Sequence, residues 1–400
     1  MISLARRIGR GWLLAGGLLV LSLAACSSSF NPIGFGVPQA DIGAPAGPAL
    51  GSGQQFGTGP VRVALLLPLT GDPALASVGI SLANGSRLAM DFIAANDKIA
   101  DNITIYLKDT GPGAAGAAQA ASEAVRDGAS LILGPLKADQ VQAAGSVART
   151  AGISLIAFSN NSAVAAPGVY LLNVLPETEV RRSVGYAGGL GKRAFAGIFP
   201  TSDYGQIQQA AFRQATAGLG GARAVYSFSS DSEARLVAKQ IAPALLAGQI
   251  DALFLPDRAS APRFATLLAE AGVPQGKVQI IGSADWNGDP AIAGAPFLVD
   301  ALYPAVDDAG YQALAAEYGA KYAGRPHPLV TISYTATILA NVSTLSMSTP
   351  KYDRAQLTLP SGFKGRDGVF RFLPDGRSEY ALVIKKVTAG GASTVDGPKL

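Results

Sequence analysis

The sequence predicts an α/β protein of two lobes, each a parallel sheet covered by helices. Three observations carry that reading. Short, almost wholly apolar runs recur along the chain, as in strands buried on both faces. Ala-rich stretches with helical spacing separate them, and such alternation implies parallel sheets with helices on their faces. Roughly 340 residues follow a low-complexity N-terminal stretch, more than one comfortable core organises.

The N-terminus has three zones. Arg6, Arg7 and Arg10 supply charge, residues 12–23 are apolar, and Ala24 and Ala25 precede Cys26, the chain's single cysteine. This order reads as a secretory signal peptide, and the apolar run is shorter than the ~20 residues of a membrane span. Leu23-Ala24-Ala25-Cys26 resembles the lipobox of bacterial lipoproteins. That resemblance implies a signal peptide over 1–25, cleavage before Cys26 and acylation of its thiol, which anchors the protein to a membrane at about 0.8 kcal/mol per buried methylene. The alternative is a buried thiol in an uncleaved anchor. Residues 27–60 are rich in Ser, Gly, Pro, Ala and Gln with almost no charge. They bury too little to fold, so 26–60 reads as the lipidated cysteine and a flexible tether.

The body begins with an apolar run at 61–67, ended by Pro68. Further strands are expected at 103–107, 129–133, 153–158, 194–199, 222–228, 252–255 and 278–281. Helices are expected at 82–93, 117–125, 141–148, 206–217 and 234–246. The stretch 170–178 leads into a new helix and marks the first crossing between lobes. Near the end, 368–372 and 380–387 read as a β-hairpin turning at Asp375-Gly376.

These features, taken in order, resemble the type 1 periplasmic binding proteins, with the branched-chain amino-acid receptors as the best-known group. The resemblance rests on Leu67-Pro-Leu-Thr-Gly71 with Gly79, Lys108-Asp109-Thr110, Gly134-Pro-Leu136, Asp203-Tyr-Gly205, Tyr334-Thr-Ala336 and the terminal Gly-Val-Phe-Arg-Phe with Asp-Gly-Arg. It implies two Rossmann-like lobes with a ligand cleft between them and three crossings, over 61–390. The expected lobes are about 61–174 with 304–345, and about 175–303 with 346–390. Sites in such sheets form beyond the carboxyl ends of strands.

Four post-strand loops therefore supply candidate ligand residues. They are Thr70 after the first strand, Leu136 before a helix N-terminus suited to a carboxylate, Ser159, Asn160, Asn161 and Ser162 after the fourth, and Tyr204 in the second lobe. Asp285 offers a carboxylate to an ammonium, and Trp286 an indole to an apolar or cationic group. Each Ser, Asn or Asp has a helix cap as its alternative role, and Trp286 a place in the core.

Without Arg6, Arg7 and Arg10 the net charge of +4 falls to +1. No basic run or basic-aromatic platform points to nucleic acid. The only histidine, His327, stands between prolines, and no metal-ligand, phosphate-loop or nucleophile motif accompanies it. An enzyme is not expected, and no cofactor or metal is implied.

Two functions remain open. One is a lipoprotein that captures a small polar, amino-acid-like solute for an ABC permease. The other follows from a second resemblance, carried by the lipobox, the tether, Gly134-Pro-Leu136 and the Trp286 segment, to penicillin-binding-protein activator lipoproteins, which contact a peptidoglycan synthase. Pro135-Leu-Lys-Ala138, Asn160-Asn-Ser162 and Pro256-Asp-Arg258 depart from the amino-acid receptors' usual residues and keep this second function open. Ser27 is not the aspartate that retains lipoproteins at the inner membrane in enteric bacteria, so the expected location is the periplasm, at the outer membrane rather than the inner.

Overall fold

The computed structural model describes residues 53–400. The expected signal peptide, Cys26 and the tether up to residue 52 lie outside the described residues. Among the described residues no helix is long and apolar enough to cross a membrane.

The first lobe contains β1 (Gln55–Phe56), β2 (Val61–Leu67), α1 (Pro73–Ala94), β3 (Ile103–Asp109), α2 (Ala114–Arg126), β4 (Leu131–Leu133), α3 (Ala138–Thr150), β5 (Ser154–Ala157) and β6 (Val169–Leu171). Its sheet runs β1-β3-β2-β4-β5-β6, parallel except for β1. The end of the expected tether is thus ordered. Phe56 packs on the core under the Arg87 guanidinium, 5.5 Å from its ring, and this contact with the edge ladder overcomes the loop-like composition around it.

The second lobe contains α4 (Pro176–Gly189), β7 (Phe195–Pro200), α5 (Asp203–Ala217), β8 (Ala222–Phe228), α6 (Asp231–Leu246), β9 (Ala252–Phe254), α7 (Ala261–Glu270), β10 (Gln279–Ile281), α8 (Pro290–Ala293) and β11 (Leu302–Ala305). The chain then returns to the first lobe through α9 (Asp308–Lys321) and α10 (Val330–Asn341), where Leu314, Tyr318 and Tyr334 pack with Leu88 of α1. A small antiparallel sheet follows, β12 (Phe363–Gly365), β13 (Gly368–Phe372) and β14 (Ser378–Tyr380). The last strands, β15 (Leu382–Thr388) and β16 (Gly391–Lys399), complete the second lobe's sheet in the order β16-β15-β11-β10-β9-β7-β8.

The two parallel sheets repeat one winding. In each, the first strand lies between the second and the third, and the fourth and fifth follow outward. The two-lobe fold, its apolar strands and its three crossings accord with the sequence. Ile105, Leu65 and Leu133 are fully buried, which is why the strands read as unbroken apolar runs.

Helix starts lie upstream of the Ala-rich stretches because capping residues set them. Asp72 accepts from the Leu75 N–H at 2.8 Å, Ser202 from Gly205 at 3.2 Å and Ser230 from Glu233 at 3.3 Å. Glu233 in turn accepts from the Ser229 N–H at 2.6 Å.

The third crossing departs from expectation. Residues 346–380 belong with the first lobe, not the second: Tyr352, Leu357, Phe370, Phe372 and Tyr380 join its core. Phe372 lies against Tyr170 at 5.3 Å and Phe370 stacks on Tyr380 at 5.4 Å, so these rings find their burial on the first sheet. The expected hairpin is divided at Ala381. β13 pairs with β14, whereas β15 pairs antiparallel with β11 in the other lobe. The fold also continues past residue 390, since β16 runs to Lys399.

Candidate functional site

In both lobes the loops after the first, third and fourth strands meet at the carboxyl ends of the sheets, where the winding reverses. The two lobes fasten the first of these turns in the same way. A Cβ built on Gly79 of α1 would stand 1.9 Å from the Pro68 carbonyl oxygen, and one on Gly205 of α5 would stand 2.1 Å from that of Pro200. Only glycine lets each helix approach the strand end so closely, and this positions Thr70 on one side and Tyr204 on the other.

The first lobe's candidates are largely engaged within their own loops. The Thr70 hydroxyl donates to Asp109, which also accepts from the N–H groups of Leu69 at 2.8 Å and Gly111 at 2.9 Å. These bonds hold the Asp109 carboxyl below its ordinary pKa against the opposing effect of burial. Leu136 is not a cleft residue: it is 5% exposed and packs in the core, because an isobutyl group at the end of a central strand has apolar neighbours to join. The helix it precedes has no side-chain cap at Lys137, so the first amides of α3 carry no such acceptor. Ser159 is buried and accepts from the Asn161 N–H at 3.2 Å. Asn161 accepts from Ala163 at 3.0 Å and opens the short turn that begins at Ser162. Asn160 is the exception, since its side chain crosses to Tyr204 of the second lobe.

In the second lobe Trp286 is core, not cleft wall. It is 1% exposed, packs with Tyr303 and lies so close over Gly282 that a Cβ there would meet the indole at 2.2 Å. Tyr204 and Asp285, by contrast, come together. The Tyr204 hydroxyl and Asp285 Oδ1 are buried without a well-formed hydrogen bond. Burial raises the Tyr204 phenol well above its ordinary pKa, the charges of Glu179, Asp285 and Glu177 raise it further, and Asn160 pulls the other way.

Glu177 and Glu179 are the residues that sequence reasoning missed. Following Pro176, they look like ordinary acids in the first turn of a helix, where the helix dipole favours them. Folding instead sets Glu179 beside Asp285, with Glu177 next to Glu179. Glu179 is 3% exposed, and its Oε2 accepts from the Ala284 N–H at 3.1 Å. Burial pushes its carboxyl up to about 7, the Ala284 bond opposes this, and Glu177 adds to it. Asp285 is raised well above the carboxylate range by burial and by Glu179, against the pull of Arg258. Glu177 Oε2 is buried without a partner. The only signal in the sequence was the Glu-Thr-Glu spacing at a crossing between lobes.

The arrangement is a buried, acid-rich pocket wall with a phenol at its centre and one amide from the opposite lobe. Among the described residues no group of three or more His, Cys, Asp or Glu is placed to hold a metal ion. The geometry suits reversible binding of a small molecule between lobes.

Known structures share the architecture. A protein from Rhodospirillum rubrum, designated a branched-chain amino acid ABC transporter, superposes with a TM-score of 0.72 at 20% identity, over 84% of this chain and 99% of that one. An ABC transporter substrate-binding protein from Desulfitobacterium hafniense in complex with Leu gives 0.63 at 17% identity, over 84% and 99%. A solute-binding protein from Rhodopseudomonas palustris in complex with 3,4-dihydroxybenzoic acid gives 0.59 at 18% identity, over 85% and 98%. No curated protein sequence matches the chain. A family model described as periplasmic binding protein matches residues 60–357, a span that takes in the parallel strands of both lobes. The chain therefore belongs to the periplasmic binding protein family.

Proposed function

We propose that the protein is a lipoprotein anchored through Cys26 that captures a small, amino-acid-like solute between its lobes and presents it to an ABC permease. The observation that carries this reading is the meeting of Asn160 from one lobe with the Tyr204 hydroxyl of the other, near Asp285 Oδ1 and Glu177 Oε2, which are buried without partners. Buried polar groups left unpaired cost about 1–3 kcal/mol each, and a ligand supplies what the chain does not. The uncapped start of α3 is the natural place for an anionic end of the solute. The relatives solved with leucine and with a dihydroxybenzoic acid support a small organic solute without choosing its class.

A thermal-shift screen against amino acids, amides, amines and aromatic acids tests the proposal. A ligand at a hundred times its dissociation constant stabilises by about 2.7 kcal/mol, and Asp285→Ala is expected to remove the shift. One observation favours a second reading, contact with a peptidoglycan synthase: Thr70, Ser159 and Asn161 are engaged within their own loops. A flat screen together with capture of the purified synthase would replace the transport reading with this one.

A further inference from the structure

The cleft's charge balance deepens the reading above and rests on it. Four acids from three elements adjoin in a row: Glu177 next to Glu179 on α4, Glu179 next to Asp285 on the turn after β10, and Asp257 after β9, whose charge Asp285 feels while it accepts from the Ser260 N–H at 2.9 Å. The cations that sense them are already paired elsewhere. Arg258 bonds Asp289 at 3.0 Å. Arg377, in the turn between β13 and β14, holds Asp375 at 2.6 Å. The two arginines of α4 are likewise engaged, Arg181 with Glu379 and Arg182 with Asp396. From α5 comes a neutral phenol, Tyr204, and from the first lobe a neutral amide, Asn160. Among the described residues none of these cations pairs with the cluster; Glu177 Oε2 and Asp285 Oδ1 are buried without a hydrogen bond, and the Tyr204 hydroxyl has only the imperfect contact of Asn160.

We infer that the ligand enters this site as a cation, through an amine or guanidinium group seated between Glu179 and Asp285, and that its binding expels a proton from that pair to solvent. Like-charged carboxylates in one dry site do not all ionise together. In the empty protein the cluster therefore keeps at least one proton, consistent with the upward displacement of Glu179 and Asp285. An organic cation stabilises the ionised form. The carboxylic acid O–H breaks, the proton passes to the buffer, and the ligand keeps its own charge. Affinity consequently falls with acidity, by up to about tenfold per pH unit for each proton released.

Isothermal titration of the purified protein with putrescine, L-lysine, L-leucine and benzoate tests this, at pH 6 and pH 8 and in phosphate and Tris buffers. The expected result is that a cationic probe binds, more tightly at pH 8, with an enthalpy that changes with the buffer because a proton is released. Glu179→Gln is expected to reduce both the proton release and the pH dependence. Binding of L-leucine or benzoate with no cationic binder, or cationic binding with no buffer dependence, overturns this inference and leaves the solute-binding reading standing. Failure of all four probes overturns both. Melting of the empty protein gives a second test. Glu179→Gln is expected to gain on the wild type as pH rises from 5 to 8, because the wild type must ionise a repelled carboxylate that the variant lacks, and a variant that melts lower across that range overturns the inference.

Discussion

At the residue scale, two glycines and a phenol carry most of the site's definition. Gly79 and Gly205 are required by close contact with a carbonyl oxygen rather than by turn geometry. Gly205→Ala is expected to destabilise by about 1–3 kcal/mol, since backbone must move to admit the methyl. Urea denaturation checks this, and an unchanged midpoint would mean that α5 shifts freely. Tyr204→Phe is expected to act in opposite directions on stability and binding. Removing a buried hydroxyl that lacks a well-formed bond leaves the empty protein as stable or about 1 kcal/mol more so, while ligand affinity falls. A loss of stability would show that Asn160 bonds the hydroxyl firmly.

At the element scale, the link between α9 and α10 holds a buried histidine. His327 donates its backbone N–H to the Ser81 hydroxyl at 2.8 Å, and its ring Nδ1 accepts from the Leu329 N–H at 3.2 Å. Burial pushes its imidazole down to about 4. The unfolded chain therefore binds a proton near pH 6.5 that the folded chain refuses. The resulting stability is complete above about 6.5 and is lost as pH falls toward 4, by about 3 kcal/mol over the window. His327→Gln is expected to flatten this slope, read from denaturation midpoints at pH 4.5 and 7. The same scale separates what the sequence discloses from what it hides. β2 and β3 were legible almost to the residue because apolar runs state their own burial, and β8 was too, although it lies half-exposed at the sheet's edge. The start of α1 was not, because Asp72 caps the helix well before its Ala-rich part. β14 and β15 read as one strand because the break at Ala381 is dictated by two distant sheets and by nothing in the local pattern. Tyr204 and Asp285 were legible as loop residues after strands. Glu177 and Glu179 were not, because their meaning depends on a neighbour more than a hundred positions away.

At the scale of the whole molecule, the crossings are tied to the cleft. Lys385, just beyond the third crossing, bonds Asp308, just beyond the second, and donates to Asn287 Oδ1 at 2.9 Å. Asn287 itself donates to Asp308 at 2.7 Å and directly follows Trp286 in the cleft turn. Hinge closure moves such crossings, so this trio couples lobe angle to the position of Asp285. Lys385→Met is expected to weaken ligand binding several-fold while touching no cleft side chain, by lowering the population of the competent form. Titration calorimetry reads the change, and unaltered affinity would uncouple the trio from closure.

The place of β2 has a mechanical consequence. A pull on residue 53 first meets β1, a two-residue strand on the sheet's edge that peels bond by bond. The load then reaches β2, which pairs with β3 along its length and with β4 from Val63 to Leu65. There the bonds must slide together instead of opening in turn. The first lobe is thus built to give up a short edge strand under tension and to resist beyond it.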